Sequence, residues 1–452
     1  MLSFNDERLT KEKVFRDPVY QYIYVENQII IDLINTPEFQ RLRRIKQLGT
    51  ASLVFHGAEH SRFGHCLGVY EITRRICNYF QRNYSSTTPD DGLWNDEERG
   101  VALCAALLHD IGHGPYSHTF EHIFHTDHEA ITTKIITSND SNINKILKRV
   151  SDDFPKKVAS VIDHSYPNKQ VVQMISSQID ADRMDYLQRD SYYTGTSYGN
   201  FDLERVLRVI RPYKDGITFE ISGMHAVEDY ILSRLQMYLQ IYFHPASRSM
   251  EEILDHLLKR AHNLYSSGQL ESSFASKMLM PFFNNSFTLK EYLALDDGVL
   301  NTIFAQWRES SDDILSDLAN RFLDRRPLKS VSYDDKTKPL LPKLQELIQT
   351  AGFNSEYYTS TNDSYNLPYD TYNPQATNSK TQIELMQPNG DLVELSEIST
   401  LVASISGKIV GNQKFFFPKE MLSADPNIEI FQPIYEEFQA YISNDQIINP
   451  QS

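Results

Sequence analysis

The sequence predicts a mainly α protein, with a helical half to about residue 265 and a smaller mixed α/β C-terminal region over 266–452. Three observations carry this. Apolar residues recur at three- and four-residue spacing in IIIDLINTPEFQRLRRIKQLG, VYEITRRICNYF, INKILKRV and VEDYILSRLQMYLQIYF, the period of an amphipathic helix. The Ala- and Leu-rich run VALCAALLHD is followed by Gly112, Gly114 and Pro115, which end a helix. Strand-like alternation is confined to two places. ITFEISG at 217–223 reads as a small hairpin or edge, and TQIELMQPNGDLVELS, punctuated by Pro388, Asn389 and Gly390, reads as a hairpin.

In chain order, helices are expected from about Tyr20 to Ala261, interrupted by the short excursion at 217–223, and more helices to about Gly352. FNSEYYTSTNDSYNLPYDTYNPQATNSK follows, rich in Ser, Thr, Asn and Tyr, and reads as a long loop; its tyrosine-rich part at 357–372 reads as plain surface more readily than as a lid. No repeat of fixed period is evident. At 452 residues the chain is long enough for a large core and two domains, 1–265 and 266–452.

A formal net charge of −16 argues against a sequence-independent grip on nucleic acid or an anionic membrane, so any polyanion has to meet a local basic patch. MLSFNDERLTKEKVF has no apolar h-region, and no apolar run approaches a membrane span; a soluble, cytoplasmic protein is expected. Cys66, Cys77 and Cys104 are odd in number, lack CxxC spacing and sit among apolar residues, so they read as reduced core side chains.

The chemistry-bearing stretch is LHDIGHGPYSH, which sets His109 beside Asp110 at a helix end. Imidazole and carboxylate together suit Mn, Fe, Zn, Ni or, less comfortably, Mg. Two ligands do not make a site, and alone such a pair is a cap or a solvated pair. Partners stand elsewhere: His65 in HSRFGHCLGVY and Asp182 in QIDADRMDYLQRD, each in a helical segment, would complete four ligands to one divalent metal ion. Arg183, Tyr186 and Asp190 share a helix face at i, i+3 and i+7, and Arg234, Tyr238 and Tyr242 share another at i, i+4 and i+8. By spacing alone these are amphipathic core tyrosines and solvated arginines.

The order His, His-Asp, distant Asp at His65, His109, Asp110 and Asp182 resembles the HD-domain phosphohydrolases, which makes the helical half an HD-domain core. From about 29 to 256, NTPEFQRLRRIKQLG, HSRFGHCLGVY, LHDIGHGPYSH and IDADRMDYLQRD stand in the order and approximate spacing of one branch, the deoxynucleoside triphosphate triphosphohydrolases. Beyond about 266 the resemblance is too weak to carry residues across. It implies that Arg62, Arg183 and Arg234 hold phosphates, Tyr186 and Asp190 contact sugar or phosphate, Tyr242 packs beneath the deoxyribose, and Gln47 and Leu48 crowd its 3′ side. A tight wall against C2′ would exclude ribonucleotides, since the added hydroxyl needs room and a hydrogen-bond partner that an aromatic face lacks. Arg183 stands where the human member has lysine, which alters hydrogen-bond geometry but not charge.

The resemblance further implies attack by metal-activated water on the α-phosphorus, releasing deoxynucleoside and inorganic triphosphate. His118 and His128 are then the proton-transfer candidates, His113 a phosphate contact, and Glu121 the group that orients His118; His122 and His125 read as bystanders. Asn35, Gln40, Arg43 and Arg205 match parts of an activator pocket between subunits of a homotetramer, so a deoxynucleoside triphosphate activator is implied, deoxyguanosine triphosphate first. Asn35 replaces an aspartate that reads guanine, and Glu220 and Ser222 fall where cations are placed. The alternative reading of EFQRLRRIKQ is an exposed, salt-bridged helix. The alternatives for the whole chain are an HD phosphodiesterase or nucleotidase acting on another phosphate ester or on single-stranded nucleic acid, and a non-catalytic nucleotide-responsive scaffold.

Overall fold

Helices dominate, as expected. In the computed structural model, the described residues run from 4 to 450 apart from 89, 272, 274, 275, 364–381, 406–412 and 423–431; the side chains of residues 5, 6, 118 and 363 are likewise outside the description. Among the described residues there are 22 α-helices and small sheets of two, four and five strands.

The chain opens on an antiparallel hairpin, β1 (Arg8–Asp17) and β2 (Gln21–Asn27), that the helical reading passed over. Its turn is closed by the Asp17 carboxylate, which accepts from the backbone N–H of Val19 at 2.9 Å and of Tyr20 at 3.0 Å. Most of β1 is exposed, so no apolar alternation announced it. The apolar segment beginning IIIDLIN is not one helix but α1 (Gln28–Ile34), α2 (Pro37–Gln40) and a tight turn at Arg41–Arg44. The break is local chemistry: Thr36 caps the Phe39 N–H and Pro37 occupies the first helical turn.

The site is framed by α3 (Arg62–Asn83), α4 (Arg99–Leu108), α5 (Ser117–Phe124), α6 (His128–Thr137), α7 (Asn142–Leu147), α8 (Phe154–Ile162), α9 (Lys169–Ile175) and α10 (Ala181–Thr194). Buried α4 lies against α3, α8 and α9, and α10 packs along α3. Asp180 caps α10 by accepting from the Arg183 N–H, and Gly195 at φ 72° ends it. After α11 (Leu203–Val209), the 217–223 excursion is a hairpin of β3 (Ile210–Tyr213) and β4 (Gly216–Glu220). α12 (Met224–Met237) runs into a π turn at Tyr238–Tyr242, and α13 (Pro245–Ser266) follows.

The remaining chain forms α14 (Met280–Phe283), α15 (Leu289–Leu293), α16 (Asp297–Trp307), α17 (Asp313–Leu323), β5 (Lys329–Ser332), α18 (Leu341–Thr350), α19 (Ser355–Tyr358), β6 (Ser360–Asp363), β7 (Glu384–Met386), β8 (Leu392–Glu394), α20 (Leu395–Ile398), α21 (Thr400–Ile405), β9 (Gln413–Phe417), α22 (Gln432–Ala440), β10 (Ile442–Ser443) and β11 (Gln446–Ile447). The expected hairpin at Asn389-Gly390 is β7–β8. It also pairs parallel with β4, giving the order β3-β4-β7-β8. The five-stranded sheet runs β10-β11-β5-β9-β6. Tyr357 and Tyr358, at the start of the expected tyrosine-rich loop, are buried; 364–381, which holds the rest of it, lies outside the described residues. One apolar cluster contains Leu103, Leu257, Phe304 and Leu385 alike, so the core continues past residue 265. The three cysteines are free and buried, and among the described residues no helix is long and apolar enough to cross a membrane.

Candidate active site

Three helices deliver the four expected ligands to one place. His65 sits in the first turns of α3, His109 and Asp110 follow the last residue of α4, and Asp182 is in the first turn of α10. His65 Nε2 lies 3.0 Å from Asp182 Oδ1 and 3.3 Å from His109 Nε2, and Asp110 oxygens lie 3.3 Å from His109 Nε2 and 3.7 Å from His65 Nε2. The other nitrogen of each imidazole is spoken for. His65 Nδ1 donates to buried Asp185 at 2.7 Å, and His109 Nδ1 donates to the Ala106 carbonyl at 2.9 Å. Both rings therefore turn Nε2 to the shared space, and His65, His109 and Asp182 together form a donor group able to hold a metal ion, with Asp110 adjoining it. Burial pulls the His65 imidazole down, yet its hydrogen bonds with Asp182 and Asp185 outweigh that and bring it to about 10. Burial raises Asp182, but the two imidazoles hold it well below the usual carboxylate range.

Beside this group, His113 and His128 stack at 3.9 Å with Glu121 Oε1 3.0 Å from His128 Nδ1. His113 Nε2 is 3.3 Å from Asp110 Oδ1, which joins the two clusters. Burial and the Arg62 guanidinium push His113 down to about 3, so it is neutral near pH 7; burial also opposes charge on His128, but Glu121 outweighs it and raises that imidazole. Glu121 thus orients His128. The His118 side chain, which Glu121 was expected to serve, lies outside the described residues. His122 is exposed and pairs with Asp255.

Arg62 is buried, donating to Asp110 Oδ2 at 2.5 Å and to Ser117 Oγ at 2.8 Å. Arg183 pairs with its own N-cap Asp180, and Arg234 donates to Gln178 Oε1 at 2.9 Å. The aromatic residues do converge. Tyr186 and Tyr242 meet edge to face at 6.1 Å, the Tyr186 and Tyr238 hydroxyls are 3.5 Å apart, and the Arg234 guanidinium lies 5.8 Å from the Tyr238 ring. Tyr242 donates to Asp190 at 2.8 Å, Asp190 accepts from His60 at 2.7 Å, and the His60 carbonyl accepts from the Gln47 N–H at 3.0 Å, with Leu48 next in the chain. A continuous run of contacts thus links Arg234 to Gln47. His60, Gln178, Asp185 and Arg189 belong to this machinery and were not singled out from the sequence. Their only signal was adjacency: His60 opens the motif that holds His65, and Asp185 stands one helical turn after Asp182.

Residues 62–190 match the HD domain and 201–414 match the HD associated region. Along 93% of its length the chain is 49% identical to the uncharacterized protein YwfO of Bacillus subtilis, covering 95% of that protein. The chain belongs to the HD-domain phosphohydrolase superfamily. It is also 29% identical, over 75% of its length and 65% of the relative's, to the deoxynucleoside triphosphate triphosphohydrolase SAMHD1 homolog of Dictyostelium discoideum. A phosphohydrolase crystal structure from Bacteroides thetaiotaomicron superposes with a TM-score of 0.75 at 27% identity, covering 90% of this chain and all of that one.

On the surface of this HD core, Asn35 is the exposed C-cap of α1, Gln40 Nε2 donates to the Ile34 carbonyl at 2.7 Å, and Arg43 donates to Gln40 at 2.8 Å while lying 3.5 Å from the Phe63 ring. These three share one patch. Arg205, on α11, instead donates to the Ser222 carbonyl, whose hydroxyl donates to Glu220.

Proposed function

We propose that this chain is a metal-dependent deoxynucleoside triphosphate triphosphohydrolase, converting a deoxynucleoside triphosphate and water to deoxynucleoside and inorganic triphosphate. The observation that carries the reading is the run of contacts from Arg234 through Tyr186, Tyr242 and Asp190 to Gln47, which shares α10 with Asp182 of the His65, His109 and Asp182 group. A neighbouring phosphate ester needs cations and a metal, whereas a sugar needs the flat, hydrogen-bonded surface the tyrosines provide. The SAMHD1 relatives support the same substrate class.

His65, His109, Asp110 and Asp182 would hold the cation, which when bound supplies Lewis acidity to a phosphoryl oxygen and lowers the pKa of water. Arg183 and Arg234 bind the phosphate chain, and Arg62 keeps Asp110 oriented. Water adds to the α-phosphorus as the bond to the 5′ oxygen breaks. His128, whose charged form Glu121 favours, gives its proton to that leaving oxygen, and neutral His113 donates a hydrogen bond from its ring N–H to a phosphoryl oxygen. His118 remains the other proton-transfer candidate. Regulation belongs to the same reading: Asn35, Gln40, Arg43 and Arg205 bind a deoxynucleotide, deoxyguanosine triphosphate first, between subunits of a cytoplasmic homotetramer.

One observation favours a second reading. Arg62, Arg183 and Arg234 each already have a protein acceptor, which suits an ester with fewer charges. Products decide. Protein loaded with Mn, Fe, Zn, Ni or Mg is incubated with each deoxynucleoside triphosphate, singly and in pairs, and resolved by ion exchange. Triphosphate plus nucleoside is expected, and nucleoside mono- or diphosphates would establish the second reading. Asp182→Ala is expected to lose both metal and turnover; retention of both removes Asp182 from the ligand set. Turnover and sedimentation indifferent to every added deoxynucleotide would remove the activator role.

A further inference from the structure

Two segments of the candidate site are held by a residue far beyond the HD motifs. Asp297, buried at 5% exposure at the start of α16, accepts from the Tyr116 backbone N–H through Oδ1 at 3.0 Å and from the Lys46 backbone N–H through Oδ2 at 2.8 Å. Lys46 directly precedes Gln47 and Leu48, the proposed sugar wall. Tyr116 directly precedes Ser117, the acceptor of Arg62, which in turn grips Asp110.

This stretch of backbone needs an outside hold. Tyr116 at φ 49° and Ser117 at φ 33° are left-handed, a conformation that side chains with a Cβ adopt at a cost. The Tyr116 ring is gripped by the same helix, its hydroxyl donating to Asn301 at 2.7 Å and its face meeting Phe304. Neighbouring contacts repeat the pattern. Arg41 donates at 2.8 Å both to the His113 carbonyl and to the Leu295 carbonyl, Tyr292 donates to the Gly112 carbonyl at 2.7 Å, and Asp296 pairs with Arg44. A carboxylate between two main-chain N–H groups on different segments fixes their separation. An amide there could satisfy only one, since its NH2 would face a donor.

We propose that Asp297 is a positioning residue for the catalytic site, setting the gap between the Gln47–Leu48 wall and the Asp110–Ser117 loop, and through that gap the discrimination between deoxyribose and ribose. The proposal rests on the triphosphohydrolase reading for its substrate, but its geometry can be read without one.

The test compares unmodified protein with Asp297→Asn and Asn301→Ala. Amide hydrogen exchange is expected to quicken at least tenfold in the peptide spanning 46 or that spanning 116 in Asp297→Asn, whose amide oxygen still serves only one of the two N–H groups, and only at 116 in Asn301→Ala, with bound metal per chain unchanged. In Asp297→Asn, kcat/KM for the deoxynucleoside triphosphate is expected to fall by about 10²-fold, as for a misplaced reacting group. Its preference over the ribonucleotide is expected to fall about tenfold. A purely structural role would lower stability and leave that preference where it was. Unchanged exchange at 46 and 116, or quickened exchange with unchanged turnover and preference, overturns the proposal. If the unmodified protein hydrolyses no deoxynucleotide, it is the substrate reading that fails, and exchange at the two amides still decides whether Asp297 fixes the two segments.

Discussion

His65 owes its orientation to a residue that touches no substrate. Asp185 is fully buried and accepts from His65 Nδ1, while Arg189 donates to both Asp185 oxygens at 2.9 Å and to Asp17 in the N-terminal hairpin at 2.9 Å. This pins the ring with Nε2 inward and makes it a stronger donor. Asp185→Asn is expected to weaken divalent metal binding about 10- to 100-fold, the usual effect of losing such a partner, measured by chelator competition; unchanged affinity would falsify the assignment. Asp182 was legible because its spacing matched a motif. Asp185 was not, because an acid one turn further along reads equally well as a solvated helix face. Asp297 has a different signature at this scale. Burial raises its carboxyl from the usual 3.8 to about 6, outweighing the two N–H groups that favour the ionised form. The folded state then holds its proton more tightly than the unfolded state, so this residue's contribution to stability is undiminished below about pH 4 and declines as pH rises towards 6 and above. Asp297→Asn lacks that decline, so relative to the unmodified protein it is expected to gain about 2 kcal/mol between pH 4 and pH 7, read from urea unfolding at each pH. A flat difference between the two proteins would show that Asp297 is not held in this way.

At the scale of elements, α3 and α10 can bring His65 and Asp182 to within 3.0 Å of each other because α3 has no side chain where the buried Asp185–Arg189 pair lies. A Cβ on Gly68 would stand 1.8 Å from Asp185 Oδ1 and 2.5 Å from Arg189 Nη2. Those two atoms hydrogen-bond each other, and the groups that carry them also hold His65 through Asp185 Oδ2 and Asp17 through Arg189 Nη1. Gly68→Ala is therefore expected to destabilise the fold by about 1–3 kcal/mol, the range for overpacking, and to weaken metal binding in parallel; a midpoint of urea unfolding equal to that of the unmodified protein would show that the helices can part at no cost. The helices over VYEITRRICNYF and VEDYILSRLQMYLQIYF were legible from apolar period, whereas α4, buried along its length, was legible from its Ala- and Leu-rich run. The exceptions have local causes. The β1–β2 hairpin hides its apolar side chains on β2 and exposes β1, and the α1–α2 break needs only Thr36 and Pro37. The left-handed turn at Tyr116 and Ser117 was invisible, because what holds it lies 180 residues downstream.

For the whole molecule, the HD core and the C-terminal region share one apolar core and backbone pairing even though their sequences read as separate domains. β4 pairs with β7 across the 265/266 boundary, α13 packs on α17 and the motif loop is tied to α15 and α16. A fragment ending at residue 265 would lose the partners of Phe219 and Gly112 and uncover core around Tyr292, Leu295, Phe304 and Leu385, all of which are at most 1% exposed. Each large apolar side chain of this kind contributes about 1.5–3 kcal/mol by burial, and a folded domain has a margin of only about 5–15 kcal/mol. A handful of such losses exceeds the margin. The fragment 1–265 is accordingly expected to give no cooperative urea transition by circular dichroism and to retain no metal at concentrations that saturate the full chain. If it does unfold cooperatively and binds metal with undiminished affinity, the boundary at 265 divides two autonomous units, and the clamp from α15 and α16 then adjusts a site that the HD core builds by itself.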